Sequence, residues 1–393
     1  MSATRKRGGD CFPMSARMKD RSFTRRDLLA TSGLAMAGLA LQPNTQASAA
    51  ADASAGVTIR ARLSLNENPF GPSPLAVQAI KDHASSVYHY TDESSASSLA
   101  REIAAVEKVP VEQILLGELL EPLGMQLSVD GIAGGEFIYS APGYMALVDA
   151  ASQLGGVAKP VPLDARLQND LPKIAAAVNS HTRAVFVVNP HNPTGTVSDT
   201  KTFHQFLTDV SRRTLVIVDE AYLDFMDDFE ARTAVTHTRS GEDVIVFRTF
   251  GKLYGLAGLQ IGYAVAPIKR AQQLRKRGLG FFRSLSSLGV VAATASLRDE
   301  NFAASTRAKV SAERREWHTM LDQFKVRRAD SQGNFVFFET NRPHKTVAEA
   351  LLSEGVEIGR SFDPYDQWAR ISIGLPEENK VARNAVTKLL RAS

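Results

Sequence analysis

The chain has 393 residues, of which 44% are apolar, 22% charged and 7% aromatic. That composition is ordinary for a globular protein long enough to bury two cores, and it excludes a disordered, collagenous or disulfide-stapled chain. The net charge of +4 is set by the first 49 residues, where eight Lys or Arg stand against three acids. The rest is near neutral and offers no electrostatic case for nucleic acid or an anionic membrane.

Residues 1–49 read as an export signal. Paired arginines, Arg25-Arg26, precede a mildly apolar run from Leu28 to Leu41, and the small residues Ala47-Ser48-Ala49 follow. That is the charged, apolar and small-residue order of a secretory leader, and the run is too short and too rich in Gly and Ala for a membrane span. The pattern resembles a twin-arginine signal, the bacterial route for already folded proteins. It implies a mature chain starting near Ala50, a periplasmic or otherwise exported location, and no stable membrane anchor. The only cysteine, Cys11, lies in this leader, so the body has no disulfide, thiolate metal site or cysteine nucleophile. No metal site is expected.

The body carries no fixed-period repeat and is divided into an N-terminal active-site segment (50–80), a large domain (81–270) and a small C-terminal domain (271–393). Three runs, Ala184 to Val188, Leu215 to Val218 and Val244 to Phe247, are continuously apolar, as strands of a parallel sheet covered on both faces are. Between the first two, Phe203, Phe206, Leu207 and Val210 recur at helical spacing, which predicts a crossover helix over 198–212. The fold class is therefore α/β with a mostly parallel central sheet. A long helix around Ala304 to Phe324 follows, then strands at Phe335 to Phe338 and Ala369 to Ile373, and a last helix from Glu377 to Arg391; these compose a smaller α+β domain.

Ligands of open parallel sheets bind beyond the carboxyl ends of the strands. Here those ends read Asn189-Pro190-His191-Asn192-Pro193-Thr194-Gly195, Asp219-Glu220-Ala221-Tyr222 and Arg248-Thr249-Phe250-Gly251-Lys252. Taken singly each has an ordinary role: Asn192 in a turn, Asp219 as a helix cap, Lys252 as a solvated cation. The run ending in Asp219-Glu220 is also similar to a Walker B strand. That reading requires a glycine-rich loop ending in Gly-Lys-Ser/Thr, whereas Gly251-Lys252 is followed by Leu253 and lacks the upstream glycine. Gly134-Gly135-Glu136-Phe137 only faintly echoes a nucleotide cyclase signature and more simply starts a strand.

Together with Asn66-Glu67-Asn68-Pro69, Tyr90-Thr91-Asp92, Pro142-Gly143-Tyr144, the run from Gly251 to Tyr263, and Arg370-Ile371-Ser372-Ile373-Gly374, these motifs resemble the fold type I pyridoxal phosphate enzymes, specifically aminotransferases similar to histidinol-phosphate aminotransferase. The resemblance spans nearly the whole body. It implies pyridoxal 5′-phosphate as cofactor, bound to Lys252 as a Schiff base, with the freed Lys252 amine moving the substrate's proton. It implies that Asp219 keeps the ring nitrogen protonated, that Asn192 and Tyr222 bond the phenolic oxygen, and that Tyr144 stacks on the ring. Thr249 and Tyr90 are assigned to the phosphate, Tyr90 across a homodimer interface. Arg370 is assigned to the substrate's anionic group, and Asn68 belongs to a segment folding over the substrate.

The same resemblance marks departures. Gln260 stands where the family has an arginine, the turn before the lysine is Thr249-Phe250-Gly251, and Gly117-Glu118-Leu119-Leu120-Glu121 replaces a small-residue loop. These predict weaker cofactor retention than in relatives. The expected reaction is transamination between an amino acid or related amine and a keto acid acceptor, and export disfavours histidinol phosphate as the physiological donor. Oxidation, elimination or racemisation on the same scaffold, or a non-catalytic binder, are the alternatives.

Overall fold

The computed structural model describes residues 57–391. The export signal, Cys11 and the cleavage point near Ala50 lie outside the described residues. In chain order the strands are β1 (Ala61–Leu63), β2 (Ile114–Leu116), β3 (Glu136–Ala141), β4 (Val157–Pro162), β5 (Thr182–Val188), β6 (Leu215–Asp219), β7 (Val244–Thr249), β8 (Gly262–Val265), β9 (Phe335–Glu339), β10 (Val356–Ile358) and β11 (Trp368–Ser372).

Seven of these form one sheet in the order β2-β8-β7-β6-β5-β3-β4. Strands β3 to β7 pair in parallel, whereas β8 runs antiparallel to both β7 and β2. The continuous apolar runs have the expected cause. Val185, Val187, Val216, Val218, Val244 and Val246 enter the core on one face, while Ala184, Phe186, Ile217, Ile245 and Phe247 enter the core on the other. With both faces covered, no position in these strands is left for a polar residue until the strand ends. The helix Thr200–Ser211 connects β5 to β6 as its periodicity predicts. Asp199 caps it by accepting from Thr202 N, and Phe203, Phe206, Leu207 and Val210 are its buried face.

Register places the chemistry. Val188 of β5 lies beside Asp219 of β6, and Asp219 beside Phe247 of β7, so the three motif-bearing ends stop side by side. The predicted later strands are β9 and β11, an antiparallel pair in which Arg370 faces Phe337. They pack with Trp317 and Leu321 of the helix Glu300–Gln323 and with Val386 of the helix Pro376–Arg391 in a separate apolar cluster. The long helix begins ahead of the predicted Ala304 because Asp299 caps it, accepting from Phe302 N. Strand β1 pairs in parallel with β10. This pairing fixes the start of residues 64–69, the segment that next meets the strand ends.

Candidate active site

A cavity of about 380 Å³ opens at the ends of β5, β6 and β7, and Tyr144, Asn192, Asp219, Tyr222, Thr249 and Lys252 all line it. Six of the residues singled out in the sequence thus meet at one place. Asp219 is 4% exposed. One of its oxygens accepts from Ala221 N at 2.9 Å, and no ion pair neutralises it among the described residues. Burial pushes its carboxyl up to about 6, with Glu118 adding to the rise. A buried carboxylate is costly unless a cation or donors face it, so Asp219 is set up to receive a protonated partner.

The neighbouring acid does different work. Glu220 points away into a buried network in which Arg248 contacts Glu220 at 2.9 Å, Asp224 at 3.0 Å and Glu107 at 3.3 Å. Burial pushes Glu220 up to about 7 against the pull of Arg248. The alternation of the pleat separates two adjacent acids, one for the cavity and one for holding β7.

Lys252 follows a tight turn in which Gly251 N donates to Thr249 Oγ1 at 3.0 Å. Its Nζ reaches the carbonyl of Leu65 at 3.4 Å and lies 5.7 Å from the centre of the Tyr222 ring. The turn is closed by Gly255, whose N donates to Lys252 O at 3.1 Å. Gly255 has φ +70°, and a Cβ there would sit 2.4 Å from Gly71 O. Only glycine meets both conditions.

Tyr222 is buried, and its hydroxyl accepts from Asn66 Nδ2 at 3.1 Å. Ser372 of β11 in turn donates to Asn66 Oδ1 at 3.1 Å. Asn192 is buried, and its Oδ1 accepts from Arg370 Nη1 at 2.8 Å. Arg370 is 7% exposed and also donates through Nη2 to Ser64 O at 2.7 Å. Its Nε has no hydrogen-bond partner, and burial lowers its pKa to about 10. Tyr144 is half exposed at the cavity wall, and burial followed by the charge of Asp219 pushes its phenol up.

Three of the predicted residues are not among the cavity walls. Arg370 meets the cavity only through Asn192. Asn68 lines an adjoining cleft of about 360 Å³ and donates to Leu253 O at 2.7 Å, next to Lys252 in the chain. Tyr90 is 82% exposed. Sequence reasoning assigned no role to Asn334, whose Nδ2 donates to Asn66 O at 2.9 Å, or to Glu118 and Glu121 as cavity groups. Asn66 belonged to a quoted motif, and its φ of 54° fits the tolerance of Asn for left-handed backbone. Asn334 gave no such signal.

Comparison with known proteins identifies what the whole chain is similar to. The family model described as aminotransferase class I and II matches residues 59–386. Over 341 residues the chain is 34% identical to the histidinol-phosphate aminotransferase of Limosilactobacillus fermentum, covering 84% of this chain and 91% of that one. Over 344 residues it is 35% identical to the enzyme of that name from Anaeromyxobacter sp., covering 86% and 93%. The crystal structure of histidinol-phosphate aminotransferase from Sinorhizobium meliloti in complex with pyridoxal-5′-phosphate superposes with a TM-score of 0.76 at 26% identity, covering 85% of this chain and 91% of that one.

Proposed function

Since the chain belongs to the class I and II aminotransferase family, and is a pyridoxal 5′-phosphate-dependent enzyme, we propose that it transfers the amino group of an amino acid or related amine to a 2-keto acid, using Lys252 as the anchoring amine and proton carrier. The observation that carries this reading is Asp219. A buried carboxylate without a countercation, in one cavity with a lysine, is the donor set that a protonated pyridine nitrogen and an aldehyde require.

Bound pyridoxal phosphate supplies an aldehyde for covalent capture of amines and a ring that spreads negative charge from the substrate's α-carbon. The chain's own residues do the rest. Asp219 holds the proton on the ring nitrogen. Lys252 Nζ would hold the aldehyde and, when not bonded to it, would be the base that moves the proton at the substrate's α-carbon. Asn192 and Tyr222 donate to the phenolic oxygen, and Tyr144 covers the ring. Arg370, which stands behind Asn192, is the cation this reading assigns to a substrate carboxylate.

Residues 1–49 direct export through the twin-arginine route in this reading; the order of paired arginines, apolar run and small residues supports it. A homodimer is also part of it. Tyr90 at 82% exposure, beside Tyr88 at 78% and Val87 at 55%, supports a surface that meets a second copy.

Borohydride reduction of cofactor-loaded protein followed by peptide mapping tests the anchor: the label belongs on Lys252, and a label elsewhere refutes the assignment. Keto product formed only when a keto acid acceptor is supplied distinguishes transamination from oxidation, elimination or racemisation.

A further inference from the structure

With the ring and aldehyde matched to Asp219, Tyr222, Asn192 and Lys252, the walls left for the cofactor's phosphate are the loop Gly117 to Glu121, Thr249 and Gln260. Those walls carry no arginine or lysine. Arg248 contributes to the cavity, but its guanidinium is taken up by Glu107, Glu220 and Asp224. Arg277 lines a neighbouring hollow with Glu118 and Gln260 and is paired to Asp130 at 2.6 Å.

Glu118 instead stands against the end of the sheet. A Cβ built on Gly262 would lie 3.4 Å from Glu118 Oε1, and Gly262 is the register partner of Thr249. The charged groups facing Glu118 are Glu121 from the following helix and Lys252 from the loop after β7, with Asp219 of β6 deeper in the cavity; Thr249 offers its hydroxyl. A phosphate carrying close to two negative charges therefore meets two carboxylates and no cation of its own. Like charges so close disfavour each other until one takes a proton.

We propose that Glu118 holds the cofactor's phosphate through a shared proton, in place of the cation that would otherwise neutralise it. This rests on the functional reading above. Loading takes one proton from water onto the Glu118 carboxylate, which then donates its O–H to a phosphate oxygen. This proton transfer is separate from the bond to Lys252 and changes no bond to phosphorus. The surrounding charges favour the step: protein packed around Glu118, and then Glu121, raise its pKa above the ordinary carboxylate range, against Lys252 and the Thr249 hydrogen bond.

Calorimetric titration in two buffers of different ionisation heat, at about pH 8, counts the protons taken up with the cofactor. Wild-type protein takes up close to one more proton per pyridoxal phosphate than Glu118→Gln, whose amide donates without titrating. Its affinity also falls by up to about tenfold per pH unit relative to the variant. Glu118→Ala serves if the glutamine variant does not fold, and likewise loses the extra proton. With pyridoxal, which has no phosphate, wild type and variant behave alike. Equal proton counts in wild type and variant overturn the proposal, as does a difference of the same size with pyridoxal. If the wild type binds neither compound, the proposal falls together with the functional reading; binding unchanged by Glu118→Gln removes the proposal alone.

Discussion

Arg370 fixes the orientation of Asn192. A guanidinium has only donors, so the 2.8 Å bond from Nη1 must end on the amide oxygen, and the Asn192 NH₂ is left as a donor for the cavity. Lysine cannot serve Asn192 and the carbonyl of Ser64 at once with the same geometry. Arg370→Lys is therefore expected to lower kcat/KM by about tenfold to a hundredfold, the value of one to two charge-assisted hydrogen bonds. Steady-state kinetics on Arg370→Lys, Asn192→Ala and the double variant check this: coupled residues give a double variant little worse than the poorer single one.

Asp219 makes the cofactor-free protein pH-sensitive. Its carboxyl is pushed up to about 6 by burial, from an ordinary value of 3.8, so between these values the folded state binds more protons than the unfolded one. Stability from this group is complete below about pH 4 and is lost as pH rises through about 6; the loss is about 3 kcal/mol. Glu220, raised to about 7, acts with the same sign. The difference in melting temperature between wild type and Asp219→Asn, followed from about pH 4 to about pH 7.5, isolates the Asp219 share. A constant difference across that range contradicts the assignment.

Cofactor retention is expected to be weak because Gln260 supplies no charge. Gln260→Arg places a guanidinium beside the Gly117 to Glu121 loop, and one charged hydrogen bond contributes about 1.5 to 3 kcal/mol, or about tenfold to a hundredfold in affinity. Dialysis followed by absorbance checks both halves. Wild type that keeps its full cofactor complement through long dialysis contradicts the first, and an unimproved Gln260→Arg contradicts the second.

Gly255 joins the lysine turn to the segment at Gly71. Alanine there combines a left-handed φ with a contact of 2.4 Å to a backbone oxygen, so Gly255→Ala is expected to cost about 2 to 4 kcal/mol of stability. Denaturant unfolding measures it, and loss of the Lys252 position predicts a fall in kcat as well. Gly241→Ala is the control for left-handed φ alone, since it has φ +80° with nothing within 4 Å of a Cβ.

The parts of this site legible in the sequence are those carried by a single strand and its following loop. Apolar runs covered on both faces announce β5, β6 and β7, and polar residues cluster where burial ends, so Asp219, Asn192 and Lys252 stand out. Their mutual distances are then given by register. Contacts between distant segments were not legible. Asn192 and Arg370 are 178 positions apart, Asn66 and Tyr222 are 156 apart, and no local periodicity records either pairing. Glu118 was visible as an odd residue in a loop, but its approach to Thr249 depends on β8 reversing direction beside β7. The three-residue strands β1, β2 and β10 are too short for any period to show.

The pleat of β11 governs the polarity of the phenol-facing wall. Arg370 and Ser372 are two positions apart and so project to the same side; one sets the hydrogen-bonding sense of Asn192, the other anchors the Asn66 amide that occupies a lone pair of Tyr222. A slip of β11 against β9 by one residue would exchange both for Ile371 and its apolar neighbours. The apolar cluster behind the pair would then receive Arg370 and Ser372 in place of Ala369 and Ile371, so the one register that fills this core is also the one that aims both cavity donors.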